Sequence, residues 1–218
     1  MKLAEALPVL EKACNVPFGK LFQGHPDDLR TNKGNAGQLL CCYIGLKLNS
    51  DLCDFDDGEL KTNKALPDGT PRETMFITQI NAIFDTLVAQ PNTSFLDSSL
   101  YRKIRNLVYL PVVKQSENAS DWYFPRCIHI EAKAGGTLFD KLRDDYDTIC
   151  NGLRHHVETS NDGFIHTTSG SHYIQVRSKD SKPYHPIYSS TYQREVSNKN
   201  HAFYFMKSFM QDALAGRI

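Results

Sequence analysis

The chain has 218 residues, of which 40% are hydrophobic and 23% are charged, and its 25 basic residues balance 25 acidic residues. This composition is typical of a folded globular protein and excludes an intrinsically disordered chain. It also excludes a protein that attracts nucleic acid through a global excess of positive charge. The length suits one large domain or two small lobes.

The sequence predicts a cytoplasmic protein without a membrane span. No apolar run approaches the roughly 20 residues that cross a bilayer, and the start at Met1–Glu5 lacks the apolar core of a signal peptide. The six cysteines include no C-x-x-C pair, which indicates reduced thiols. A zinc site is not predicted, because Cys127 with His129 and His155 with His156 lack a second spaced pair of ligands.

Two helices are predicted in the N-terminal part. Leu3, Leu7 and Leu10 recur at helical spacing and predict a first helix that ends before Asn15-Val16-Pro17. A second helix closed by Gly45 is predicted from an apolar stripe formed by Ala36, Leu39, Leu40, Tyr43 and Ile44. Lys33-Gly34 before this helix either offers a cation and backbone amides to a phosphate or forms a simple turn.

An acidic stretch that ends in Glu59-Leu60-Lys61 is the candidate for chemistry. On a strand, Glu59 and Lys61 share one face while Leu60 enters the core. A turn at Asp57-Gly58 would let a short preceding strand bring Asp54 beside them. Two carboxylates and a lysine suit phosphodiester hydrolysis, because Mg²⁺ binds one or two carboxylates plus a phosphate and an ammonium group offsets developing charge. A solvated acidic hairpin is the alternative reading.

The remaining segments predict a mixed α/β domain. Alternation predicts strands at 75–80, 107–113 and 172–177, with Pro111 ending or edging the second of these, and 122–124 is expected to pair with 127–130. Helices are predicted from Leu138 to Gly152 and from Ser208 to Ala215, the latter after a hydrophobic segment at 202–207. The segment after Ser178 is predicted to be a long polar loop.

Several separated stretches, in their order and approximate spacing, resemble the MutH family, which joins mismatch-repair nicking endonucleases to GATC-cutting type II restriction endonucleases. The stretches are residues 32–45, 54–61, 72–76, 101–112, 173–177 and 203–209. The resemblance implies a single MutH-like endonuclease domain over 1–218 with the restriction-endonuclease-like fold. In that fold a mixed sheet is flanked by helices, and two lobes border a DNA cleft.

The resemblance also implies roles for individual residues. Asp54 and Glu59 match the Mg²⁺ ligands, Lys61 matches the catalytic lysine, and Lys103 matches a lysine near the scissile phosphate. The DNA-binding positions of the family are matched by Arg177 and Tyr204 at the recognition site, by Lys33 at the mouth of the cleft and, more loosely, by Lys179. Double-stranded DNA is the implied partner.

The chain departs from the family pattern at Cys41, where the early helix of the family usually carries a glutamate. Cysteine does not replace a carboxylate as a ligand of a hard cation. Either Gln38 therefore supplies a polar contact, or the site uses Asp54 and Glu59. Because the spacing between these two acids is shorter than in the mismatch-repair enzyme, Asp51 and Asp56 are alternative ligands.

The sequence therefore predicts a Mg²⁺-dependent, sequence-specific DNA endonuclease, with a type II restriction enzyme as the leading form. A mismatch-repair nicking endonuclease and a non-cutting DNA-binding effector domain are the alternatives. GATC is the recognition sequence only by analogy, and methylation sensitivity is open. The choice between a monomer that nicks each strand in turn and a homodimer that cuts both is also open.

Overall fold

The computed structural model describes residues 1–23, 35–46 and 53–218 of the chain. They form a mixed α/β protein with two compact units. Unit 1 comprises Met1–Thr74, Arg102–Ala132 and Met210–Ile218, and unit 2 comprises Met75–Tyr101 and Lys133–Phe209. Within the described ranges, no helix is both long enough and apolar enough to cross a membrane.

The elements follow one another along the chain in this order: α1 (Leu3–Ala13), α2 (Phe18–Leu21), α3 (Asn35–Tyr43), β1 (Glu59–Ala65), β2 (Met75–Gln79), α4 (Phe84–Val88), α5 (Ser99–Ile104), β3 (Asn106–Val113), β4 (Ile128–Glu131), α6 (Thr137–Thr159), β5 (Ile174–Ser178), β6 (Ile187–Ser189), β7 (Arg194–Ser197), β8 (His201–Phe205) and α7 (Lys207–Leu214). Short 3-10 turns lie at Asn81–Ile83 and Ala119–Asp121. The predicted first, second and last helices and the predicted strands at 75–80, 107–113 and 172–177 are thereby confirmed. The predicted helix at 138–152 is confirmed and extends further.

The sheet of unit 1 has the strand order β1-β3-β4. β1 runs parallel to β3, with Glu59 opposite Leu107 and Ala65 opposite Val113. β4 pairs antiparallel with β3 only from Asn106 to Tyr109. Pro111 therefore lies where β3 has lost its β4 neighbour, as expected for a residue without a backbone N–H.

One face of this sheet packs against the N-terminal helices. Successive side chains of a strand point to opposite faces, and the even-numbered positions of β1 and β3 supply Leu60, Val108, Leu110 and Val112 to a core that also contains Leu3, Leu10, Phe18 and Leu40. Burial of this apolar surface fixes β1 between the helices and β3. The odd-numbered positions Glu59 and Lys61 face the other way.

Two sequence predictions in unit 1 are wrong. Residues 53–57 are bends rather than a strand, so β1 pairs with β3 and not with a preceding hairpin strand. The predicted pairing of 122–124 with 127–130 is also absent, because β4 pairs with β3. Tyr123 and Phe124 instead form isolated bridges to Val113 and Cys14.

Unit 2 contains a sheet in the order β2-β8-β5, with both pairings antiparallel, and a separate β6-β7 hairpin. The predicted long polar loop after Ser178 is therefore wrong in part, since it contains this hairpin. A carboxylate anchors the turn of the hairpin: Asp85 accepts hydrogen bonds from the Ser189 hydroxyl at 2.5 Å and the Ser190 backbone N–H at 2.9 Å.

Helix α6 is tied to β5 by a buried carboxylate. Asp145 is fully buried and accepts backbone hydrogen bonds from His172 at 2.5 Å, Tyr173 at 2.6 Å and Ile174 at 2.9 Å. Burial raises the pKa of Asp145, and the three N–H groups oppose that rise. The Asp145 carboxylate thus accepts hydrogen bonds from backbone N–H groups at the start of β5 that no neighbouring strand accepts.

Replacing Asp145 with alanine should therefore destabilise unit 2. The variant would leave buried N–H groups without acceptors, and we expect the free energy of unfolding to fall by about 3 to 5 kcal/mol. Urea denaturation followed by circular dichroism measures this loss. Asp144→Ala is the matched control, because Asp144 is exposed and should change stability by less than about 0.5 kcal/mol. Equal losses in the two variants would contradict the anchoring role.

Candidate functional site

The candidate site lies at the first residue of β1 in unit 1. The Glu59 side chain is buried, with 3% of its surface exposed. Its Oε1 accepts a hydrogen bond from Lys61 Nζ at 2.7 Å and forms an ion pair with Lys103 Nζ at 3.0 Å. Strand alternation places Lys61 beside Glu59, whereas Lys103 is supplied by α5. The structure thus brings three predicted catalytic residues together around one carboxylate oxygen.

The second oxygen of this carboxylate is the unusual feature of the site. Glu59 Oε2 is buried and has no hydrogen-bond partner among the described residues. A buried charged oxygen without a donor or cation is costly, so native structures rarely contain one without a reason. Glu59 Oε2 therefore lacks the donor or cation that usually accompanies a buried carboxylate oxygen.

Asp54 reaches the same end of β1 without a hairpin. Its Oδ2 accepts a hydrogen bond from the backbone N–H of Leu60 at 2.9 Å. This bond engages one carboxylate oxygen and holds the exposed Asp54 side chain next to the strand that carries Glu59. Asp54 thus lies at the strand end that carries Glu59, although the predicted geometry of the connection is wrong.

The bend between Asp54 and β1 is held by contacts distant in sequence. Asp57 Oδ1 accepts from the Leu3 N–H at 2.8 Å, and Asn106 Nδ2 donates to the Asp57 carbonyl at 3.0 Å. Gly58 is required because a Cβ there would lie 2.6 Å from the Asn106 carbonyl oxygen. These contacts fix the position at which Glu59 enters the sheet.

Cys41 of α3 lies close to this acidic centre. The thiol is buried, and its pKa is raised to about 12 by burial first and then by the negative charges of Asp54 and Glu59, while Lys61 opposes the rise. Cys41, the position at which the MutH resemblance expects a glutamate, therefore lies near these two acids, and its thiol stays protonated at neutral pH. Gln38, the predicted alternative contact, is exposed.

The residues at this centre fit a Mg²⁺ ion that takes two ligands from the protein and the others from water and substrate phosphate. In the described ranges, no cluster of three or more His, Cys, Asp or Glu side chains is arranged to hold a metal. Mg²⁺ is commonly bound by one or two carboxylates, with water and substrate phosphate completing the octahedron. Asp54 and the unpartnered Glu59 oxygen match that donor set.

Asp56 and Asp51 are the alternative metal ligands that the sequence suggested. Asp56 Oδ2 accepts from the N-terminal ammonium group at 3.0 Å, so this carboxylate already has a cationic partner. Asp51 lies outside the described residues, as does Lys33, the predicted DNA contact.

The remaining predicted DNA-binding residues meet on the sheet of unit 2. We call the four side chains Phe76, Arg177, Lys179 and Tyr204 the aromatic-cation face. Phe76 and Tyr204 are paired across β2 and β8, with ring centroids 5.8 Å apart. The Arg177 guanidinium lies 5.5 Å from the Tyr204 ring, and Lys179 Nζ lies 5.7 Å from the Phe76 ring.

Phe76 is the member of this face that the sequence prediction of site residues missed. It is exposed, whereas its neighbours Met75 and Ile77 are buried. The sequence does contain a signal for Phe76. Strand alternation places this large aromatic side chain on the face opposite the two core residues, which is the solvent face of β2. Burial raises the pKa of Tyr204, and the positive charge of Arg177 opposes that rise.

No protein-family model matches the chain, and the curated proteins include no match to it.

The adjacent cysteines of α3 provide a test of the site geometry. Cys41 is buried and Cys42 is exposed, and alkylation requires an accessible thiolate. We expect iodoacetamide to modify Cys41 at least about tenfold more slowly than Cys42 at neutral pH. Peptide mass spectrometry on the Cys41→Ser and Cys42→Ser variants separates the two rates. Equal rates would show that Cys41 does not occupy the buried position beside Asp54 and Glu59.

Proposed function

We propose that this protein is a Mg²⁺-dependent, sequence-specific DNA endonuclease of the type II restriction class, with the restriction-endonuclease-like fold that the MutH resemblance implies. The observation that carries the proposal is the buried Glu59 carboxylate, which pairs with two lysines through one oxygen and leaves the other without a partner. Asp54 at the same strand end supplies a second carboxylate. Acidic and ammonium groups in this arrangement suit phosphodiester hydrolysis.

The roles proposed for the residues combine the MutH resemblance with this geometry. Asp54 and Glu59 would hold the Mg²⁺ ion, which supplies a Lewis acid for the phosphate and lowers the pKa of a bound water. Lys61 and Lys103 place two ammonium groups within 3.0 Å of the same carboxylate oxygen. These groups are positioned to offset the negative charge that develops on a phosphate during hydrolysis. Lys61 would also orient the attacking water.

The aromatic-cation face is proposed to contact double-stranded DNA. Arginine donates paired hydrogen bonds to guanine or binds phosphate, and aromatic rings make apolar contacts with bases. Arg177, Lys179 and Tyr204 are the residues that the family resemblance assigns to DNA, and Phe76 joins them through its ring contact with Tyr204. Clustering of two cations with an exposed and a partly buried aromatic ring on one sheet face supports this role.

A non-cutting DNA-binding domain is the second candidate, and Cys41 is the observation that favours it. A protonated, buried thiol beside Asp54 and Glu59 supplies no charge to a hard cation. If two carboxylates are too few for Mg²⁺ at this site, the same surface would bind DNA without hydrolysing it. The contacts of the Glu59 carboxylate with Lys61 and Lys103 favour the nuclease.

Cleavage of DNA by site variants tests the proposed activity. Purified protein with Mg²⁺ should cut unmethylated plasmid and genomic DNA at discrete sites, which sequencing of the product ends will identify. Glu59→Gln and Lys61→Met should each lower the cleavage rate at least about a hundredfold, because the first removes a charged ligand of the metal and the second removes an ammonium group beside the reacting phosphate. Binding to DNA in the absence of divalent metal should change by less than about threefold, since other residues supply that affinity.

Glu117→Gln and Lys12→Met are the matched controls for these two variants, because both positions are exposed on unit 1. They should cut at the wild-type rate. Sequence-specific binding without cleavage by the wild-type protein would reject the nuclease and support the DNA-binding domain.

Replacement of Arg177 with alanine tests base recognition separately from cleavage. If Arg177 contacts a base edge, we expect binding to the cognate sequence to weaken by about 1 to 3 kcal/mol, with relaxed discrimination at one base pair. Competition binding with single-substitution duplexes measures both effects, and Arg126→Ala, at an exposed position of unit 1, is the control. A uniform loss across all duplexes would identify a phosphate contact and contradict base recognition.

A further inference from the structure

A separate cavity lies in unit 1 on the other face of β1. It has a volume of about 110 Å³ and is lined by Ala36, Thr62, Asn63, Lys64, Glu73, Val112 and Lys114. Thr62 and Lys64 point to the face of β1 opposite Glu59 and Lys61, because side chains alternate along a strand. Val112 is the partner of Lys64 on β3. The cavity is therefore distinct from the candidate active site.

Two lysines give this cavity its charge. Lys64 and Lys114 are each partly buried, and neither ammonium group forms an ion pair among the described residues. Burial lowers the pKa of Lys114, and the positive charge of Lys64 lowers it further, whereas Glu73 opposes the change. Two like charges that are partly withdrawn from water repel each other, and Glu73 is the single carboxylate among the lining residues that offsets them. An anion between them would relieve this cost.

The surroundings of the lysines also suit an anion. Ala36 is the second described residue of α3, and the N-terminal end of a helix dipole favours negative charge. The Thr62 hydroxyl adds a donor. Lys114 Nζ lies 4.1 Å from the ring centroid of Trp122, so its position is set by a cation–π contact rather than by a carboxylate.

From the two unpaired ammonium groups at one cavity, we propose that the cavity binds a phosphate group. Lys64 and Lys114 contact its oxygens, and Thr62 supplies a further donor. Glu73 on the rim limits the affinity through its negative charge. The site takes either free orthophosphate or a phosphate group of nucleic acid, and it goes beyond the proposed nuclease because it shares none of the residues around Glu59.

Trp122 is the sole tryptophan of the chain. Its fluorescence should respond to changes at Lys114, because the Lys114 ammonium group contacts its ring. Titration with inorganic phosphate should change Trp122 fluorescence with saturation, while sodium chloride at matched ionic strength should not. Lys64→Met should weaken phosphate binding by about tenfold, as expected for loss of one charged hydrogen bond. Glu73→Gln should tighten binding about two- to fivefold, the usual effect of one exposed charge. Lys12→Met should bind like the wild type.

A DNA arm distinguishes the two sources of the phosphate group. A short duplex in phosphate-free buffer should change Trp122 fluorescence only if a nucleic-acid phosphate enters the cavity, and Lys64→Met and added phosphate should both suppress that change. A response to phosphate alone assigns the cavity to the free ion. The proposal is overturned if chloride reproduces the phosphate response, or if Lys64→Met and Glu73→Gln, folded by circular dichroism, both bind phosphate like the wild type.

Discussion

The pairing of one buried carboxylate with two ammonium groups is the interaction on which the candidate site depends. Glu59 reaches β1 from a bend that is held by Leu3 and Asn106, and Lys103 arrives from a helix more than forty residues away in sequence. Neither lysine could approach a desolvated carboxylate so closely unless the sheet and α5 were already in place. The site is therefore a product of tertiary structure rather than of a local motif.

The two faces of β1 carry the side chains of two different sites. Odd-numbered positions of β1 carry Glu59 and Lys61, while even-numbered positions carry Leu60, Thr62 and Lys64 toward the helix side. Leu60 anchors the strand in the apolar core, and the polar residues at its far end border the cavity beneath α3. A shift of register by one residue would exchange these faces, so the apolar core constrains both sites at once.

Local pattern was sufficient to predict much of the fold. Alternation and helical spacing predicted α1, α3, β2, β3, β5 and α7, because these elements each bury a continuous apolar face. The pattern failed where the stabilising partner is distant: Asp57 binds the backbone of Leu3 instead of forming a hairpin turn. It also failed for the β6-β7 hairpin, whose turn residues Ser189 and Ser190 are held by the distant carboxylate of Asp85.

The candidate site was predictable to a similar extent. The side-by-side placement of Glu59 and Lys61 follows from strand alternation. Lys103 was identified only through the family resemblance, and its contact with Glu59 was not predicted. Phe76 was missed as a site residue, since its exposure depends on which face of β2 is covered. Cys41 was identified through the family resemblance, and the charges of Asp54 and Glu59 add to burial in raising its pKa.

Cys41 also bears on how a cation would bind under the proposed function. Two carboxylates, Asp54 and Glu59, face two ammonium groups, Lys61 and Lys103, so the formal charges of these four side chains cancel. A glutamate at position 41 would have added one negative charge and one oxygen ligand, which cysteine does not provide. Mg²⁺ would consequently need a phosphate of the DNA as an additional ligand and as an additional negative charge. Binding of the metal and binding of DNA would therefore be coupled.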